Sequence, residues 1–259
     1  MLLAASAVVA GALGAALPAR ADVVSDTSSN WAGYTVAGAT FAGVSGSWVQ
    51  PVAQCSSGRA YAAFWVGLGG SDASSQALEQ IGTESDCTAG NAQVSSVWYE
   101  LLPAPPVTVK LKIRAGDKIT ASVTANTGVV TFTLRNVTRK TVFTKRIGVA
   151  TIDLSSAEWV AEAPSACDDA DNCRPLPLAN FGTATFTNAS ATAGGHTGTI
   201  SDPAWSATAI SLVGGGYYHR FGPWQDTVPA DAIPSALASD GSAFTVSWQQ
   251  SDGTSPLPA

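Results

Sequence analysis

Polar and apolar residues alternate through Val107-Thr108-Val109-Lys110-Leu111-Lys112-Ile113-Arg114. An extended backbone sends successive side chains to opposite faces, so this run predicts a strand with one face on a core and one in water. Ala115-Gly116-Asp117 then reads as a turn, and Lys118–Thr124 as the returning strand. Asn126-Thr127-Gly128 turns again into Val129–Leu134, and Asn136-Val137-Thr138 leads to Thr141–Lys145. The four runs form a meander. Further strands are predicted at Trp31–Val36, Gly43–Gln50, Tyr61–Leu68, Leu78–Gly82, Val94–Leu101, Glu158–Ala161, Gly182–Thr187, Ala207–Val213 and Phe244–Gln249. Apolar residues nowhere keep helical spacing for more than two turns. Short strands spaced by Gly, Ser and Asn turns make an all-β sandwich or barrel. No linker interrupts residues 28–250, which predicts one domain with a loose tail over Ser251–Ala259.

The first residues break the pattern. Leu2–Leu17 is almost wholly Ala, Val, Leu and Gly, and Ala19-x-Ala21 follows as a small-residue cleavage site, although no Lys or Arg precedes the apolar run. This is read as a secretory signal over residues 1–21, ahead of a mature domain over 22–259. The run is short for a membrane span and no second one follows, so no membrane association is expected after the signal is removed. Removing it takes away only Arg20, leaving 12 basic against 19 acidic side chains in a chain that is 46% hydrophobic and 12% charged. With no basic cluster, nucleic acid is not expected as a partner. A pI of about 4.7 suits work in acid, where the carboxylates discharge and few positive charges remain to repel one another. An exported chain with four cysteines favours disulfides. Cys167 and Cys173 flank a short polar loop and are paired here, which leaves Cys55 with Cys87. The spacing does not suit zinc, and no metal or cofactor is expected.

Candidates for chemistry are few. His196 and His219 both stand in glycine-rich surroundings with no Gly-x-Ser-x-Gly elbow to serve. Asp240-Gly241-Ser242 and Asp252-Gly253-Thr254 have the wrong order for an aspartic-protease pair. Only five glutamates exist: Glu79, Glu84, Glu100, Glu158 and Glu162. Glu158 lies in Ser156-Ala157-Glu158-Trp159-Val160-Ala161, an apolar and aromatic stretch without a basic residue. Desolvation there would raise its pKa and make it a usable acid or base, whereas on a solvated strand face it would be ordinary. Gln80 could donate to an oxyanion without changing charge, or be a structural amide. Trp31, Trp65 and Trp98 stand in separate strands, as core residues or as the lining of an extended groove.

Several short segments together resemble the glutamic peptidases, or eqolisins. They are Ser29-Asn30-Trp31-Ala32-Gly33, Phe64-Trp65-Val66-Gly67, Ala77-Leu78-Glu79-Gln80-Ile81-Gly82, Trp98-Tyr99-Glu100-Leu101-Leu102-Pro103, Ala157-Glu158-Trp159-Val160 and Leu178-Ala179-Asn180-Phe181-Gly182, in family order across residues 28–215. The resemblance implies a sandwich of two antiparallel sheets, a jelly roll like that of legume lectins, with the active site on a concave face. It implies a catalytic pair at Gln80 and Glu158, with Trp31, Trp65, Trp98 and Glu100 in the substrate cleft and Cys167–Cys173 in a small loop after the Glu strand. It further implies a secreted, monomeric acid endopeptidase that works on polypeptides without cofactor or covalent intermediate, hydrolysing the peptide bond with a water activated by the Glu and Gln. Its bacterial rather than fungal character is suggested by the eight residues between Ala21 and Asn30, where fungal members carry a long propeptide. Two departures matter: Gly69 stands where members often carry Asp, and Glu79 stands where a hydrophobic residue is usual, with alternation pointing it away from the Gln80 face. A lectin-like sandwich without chemistry is the rival reading. A glycosidase is a weaker one, needing a second carboxyl such as Glu162 or Glu100 opposite Glu158.

Overall fold

A computed structural model describes residues 22–56, 58–72, 74–167, 173–215 and 230–251. The predicted signal over 1–21 and His219 lie outside the described residues, as does most of the tail. The described residues form eighteen strands and no helix. In chain order they are β1 (Val23–Ser28), β2 (Trp31–Ala37), β3 (Phe41–Val49), β4 (Ala63–Leu68), β5 (Glu79–Cys87) and β6 (Gln93–Leu101). The meander follows as β7 (Val107–Val109), β8 (Lys118–Asn126), β9 (Val129–Asn136) and β10 (Thr141–Gly148). Then come β11 (Ser156–Glu162), β12 (Ser165–Cys167), β13 (Cys173–Pro175), β14 (Thr183–Ala193), β15 (His196–Gly198), β16 (Ser206–Gly215), β17 (Ala230–Pro234) and β18 (Phe244–Gln250).

The fold is an all-β sandwich whose two layers are joined into one ladder. Its order is β10-β9-β8-β3-β14-β18-β17-β16-β2-β11-β4-β5-β6-β7, with β15 on β14 and β1 on β16. β17 and β18 carry the ladder from one layer round to the other, past a register shift between Leu212 and Gly215 in β16. β3 and β8 then lie over β4, and β5 packs under β8 and β9. Between the layers sits an aromatic and aliphatic core that includes Trp159, Phe64, Phe132, Phe186, Leu134 and Ile81, all fully buried. Among the named strands pairing is antiparallel except that β1 runs parallel to β16, along Val23–Ser28 against Ala207–Leu212.

The clearest alternating run behaves differently from its prediction. Only Val107–Val109 joins the ladder, at the edge beside β6. At Leu111 the backbone N–H turns back to the Val109 carbonyl (2.8 Å), and the chain leaves to cross toward β8. Ile113 is nevertheless buried while Lys112 and Arg114 are exposed. Alternation records which face is covered, and the cover here comes without a hydrogen-bonded neighbour. Disulfides join Cys55 to Cys87 and Cys167 to Cys173, the latter directly opposed across the β12–β13 hairpin.

Candidate active site

β11 is central in its layer, between β2 and β4, and its two faces carry different chemistry. Ala157, Trp159 and Ala161 point into the inter-layer core. Ser156, Glu158, Val160 and Glu162 point to the opposite face. Val160 there packs with Trp65, Leu78, Trp98 and Ala63 in a second apolar cluster that Trp31 borders.

Register fixes what stands beside Glu158. It pairs with Thr35 of β2 and Gly67 of β4; Gly67 pairs with Gln80 of β5, and Gln80 with Glu100 of β6. Thr35, Glu158, Gly67, Gln80 and Glu100 therefore form one row on one face. Strands lie 4.7–4.9 Å apart, so the backbones of Glu158 and Gln80 are about 10 Å apart, with glycine between them. A Cβ on Gly67 would lie 3.3 Å from Gln80 Cβ, 3.0 Å from Leu78 Cδ1 and 2.9 Å from Trp65 Cζ3. The missing side chain lets Trp65, Leu78 and Gln80 close over β4 at this point, so that no side chain of β4 itself separates carboxyl from amide.

The row is buried and short of donors. Glu158 is fully buried and Gln80 is 5% exposed. Neither carboxyl oxygen of Glu158, nor Gln80 Oε1, has a hydrogen-bond partner among the described residues. Burial holds the Glu158 carboxyl well above the ordinary carboxylate range; the nearby Ser156 hydroxyl opposes this without a bond of normal geometry, and the charges of Asp153 and Glu79 add to it. Gln80 Nε2 donates to Glu100 Oε2 (2.6 Å), which fixes the amide with its nitrogen toward β6. Burial raises Glu100 while that bond lowers it.

The aromatic residues form the wall below this row. Trp31 meets Trp65 edge-on with centroids 4.9 Å apart. Trp65 is fully buried, so it shapes the face from beneath, and its Nε1 donates to Glu162 Oε2 (2.7 Å). Asn30 Nδ2 donates to the other oxygen of Glu162 (3.1 Å). Burial raises Glu162 to about 7 against those donors. Trp98 is 6% exposed and its Nε1 has no partner among the described residues.

Sequence reasoning weighed Glu162 only as a sugar-cleaving partner, although its place four residues after Glu158 puts it on the same strand face. It had no signal for Gly67 between the pair, or for Asp153. Glu79 does point away from the Gln80 face. Paired with Leu68 and Leu101, it is 1% exposed, and burial raises it to about 8. Among the described residues no group of His, Cys, Asp and Glu is arranged to hold a metal ion.

The model of the Peptidase A4 family matches residues 29–216. Aspergillopepsin-2 of Aspergillus niger is 30% identical over 199 residues, covering 68% of each chain. The crystal structure of scytalido-glutamic peptidase with a transition state analog inhibitor superposes with a TM-score of 0.68 at 25% identity, over 85% of this chain and 98% of that one. The crystal structure of aspergilloglutamic peptidase from Aspergillus niger gives a TM-score of 0.55 at 26% identity, over 73% and 99%.

Proposed function

This chain belongs to the Peptidase A4 family, the glutamic peptidases, and from that premise we propose that Glu158 and Gln80 are its catalytic pair, acting on one water held between them. A single observation carries the assignment: register places the two side chains in one row, on one face, with only a glycine between. Glu158 Oε1, Glu158 Oε2 and Gln80 Oε1 are three buried oxygens without a hydrogen-bond partner among the described residues. A water has two hydrogens to give and suits such a set.

Glu158 as carboxylate takes a proton from that water as its oxygen attacks the scissile carbonyl. Gln80 Nε2 has two hydrogens; one is held by Glu100 and the other donates to the oxyanion. Protonated Glu158 then gives its proton to the leaving amine, so the carboxylate is regenerated and no covalent intermediate forms. Trp31 and Trp98, backed from beneath by the buried Trp65, form the apolar wall along which an extended polypeptide lies, and Glu100 orients Gln80. Glu158 is sealed and held neutral in this closed form, so substrate binding includes an opening of this face that lets water reach the carboxyl and brings it to the carboxylate form in acid.

The same reading makes the protein a secreted monomer working in acid, with residues 1–21 as its signal and residues 22–259 as one domain. Two disulfides and an acidic composition support that setting. Digestion of a protein substrate by purified variants tests the pair. Glu158→Gln and Gln80→Ala should each lower turnover by roughly two to four decades, the scale of losing a positioned base or an oxyanion donor. Near wild-type turnover in Glu158→Gln sinks the assignment.

A further inference from the structure

We propose that Asp153, in the connection between β10 and β11, is a positioning residue for this site, tying together the segments that lead into β5 and β11. The inference rests on the reading of Glu158 as the proton carrier. Gly69 has φ +78°, and a Cβ built on it would lie 2.6 Å from Asp153 Cβ and 2.7 Å from the Asp153 carbonyl oxygen. A glycine at 69 thus lets the two connections close on each other and brings the Asp153 carboxylate against the 69–78 segment.

The Asp153 carboxylate ties together the segments that bring in both catalytic strands. Its Oδ2 accepts from Gly70 N–H (3.2 Å) and from Ser75 Oγ, both in the connection leading to Gln80. Its Oδ1 accepts from Ser155 N–H (2.9 Å), immediately before β11. Gly69 N–H closes the same junction by donating to the Ser156 carbonyl (3.0 Å). Burial pulls Asp153 upward, but its donors from Ser75, Ser155 and Gly70 outweigh that and keep it ionised. Its charge adds to the raised proton affinity of Glu158, five residues on, as does Glu79 from the far face of β5; Asp72 feels Asp153 from the 69–78 connection, Glu100 lies beyond Gln80, and Glu162 shares the strand of Glu158. All of these neighbours are acids. Asp153 therefore holds the junction and keeps the proton affinity of Glu158 high.

The test is kcat/KM on a peptide substrate from about pH 2 to about pH 8, where the acid limb reports the base of the free enzyme. Variants are Asp153→Asn, Asp153→Ala and Glu158→Gln. Removing the like charge in Asp153→Asn should move the acid limb to lower pH and reduce kcat roughly tenfold to hundredfold, with KM little changed. Asp153→Ala, which removes both acceptor oxygens, should fall at least as far. Should Asp153→Ala not fold, Asp153→Asn, which keeps an acceptor oxygen, decides through the acid limb alone. A wild-type limb or a wild-type kcat in Asp153→Asn overturns the inference. If Glu158→Gln is inactive in that same series, the catalytic reading survives it; an active Glu158→Gln removes the reading itself.

Discussion

Each side chain in the row is defined by what its neighbours leave out. Gly67 omits a side chain between Glu158 and Gln80, and Gly69 omits one where Asp153 now sits. Gly67 is not in the left-handed region, so the cost of a larger residue there is steric: its Cβ meets Trp65, Leu78 and Gln80. Gly67→Ala, the smallest such change, should lose roughly one to two decades of kcat/KM by displacing Gln80 and Trp65 from their places beside Glu158. Circular dichroism and peptide hydrolysis on one preparation check this; full activity with a native spectrum would show that the row does not need glycine at 67. At this scale the sequence was legible where chemistry shows in local composition. Glu158 stood out in an apolar stretch without cations, and Gln80 only through its resemblance segment. Asp153 was not legible, because its significance comes from the space in front of Gly69, 84 positions earlier in the chain and brought near only by the fold.

Strand existence was readable from alternation and turn residues because both are local. Partners were not, because β11 meets β2 and β4, which precede it by about a hundred residues. Periodicity of two assigns a face and says nothing of which strand lies beside it. The Val107–Arg114 run illustrates the limit: its alternation survives in burial while its ladder ends at Val109. β1 escaped notice because Val23–Ser28 has little apolar content and lies exposed beside β16. Among the connections, the disulfides differ in what they constrain. Cys55–Cys87 closes a separation of 32 residues and ties the chain before β4 to the end of β5; Cys167–Cys173 closes 6 residues in an exposed hairpin. Loop-closure entropy gives about 3–4 kcal/mol for the first and about 2 kcal/mol for the second. The double serine variant of Cys55 and Cys87 should lower Tm by about 10 °C, more than that of Cys167 and Cys173. Calorimetry ranks the two, and the reverse order would contradict this account.

Across the whole molecule, buried acids set the pH at which the fold is firmest. Burial raises Glu79 to about 8, and Asp86 and Glu162 to about 7, and it also raises Glu100 and Glu158. A carboxyl raised in this way gives its full stability below its unfolded pKa and loses it as pH climbs through the folded value. The loss runs from about 4 to about 8. Asp117 opposes it: burial pulls it up, but Asn136, Arg139 and the Arg114 N–H outweigh that and hold it low, so its contribution is lost as pH falls below the ordinary range. Tm near pH 4.5 should therefore exceed Tm at pH 8 by roughly 10 °C or more. A higher Tm at pH 8 would mean that these carboxyls are not held neutral by the fold. The sandwich places two side chains from distant strands in one row, and their cooperation is the central claim. The most direct measurement is kcat for Glu158→Gln, Gln80→Ala and the double variant on one substrate at the wild-type optimum. Groups that act as a unit are not additive, so the double should fall about as far as the worse single. Losses that multiply would show two residues working independently, and would contradict the account.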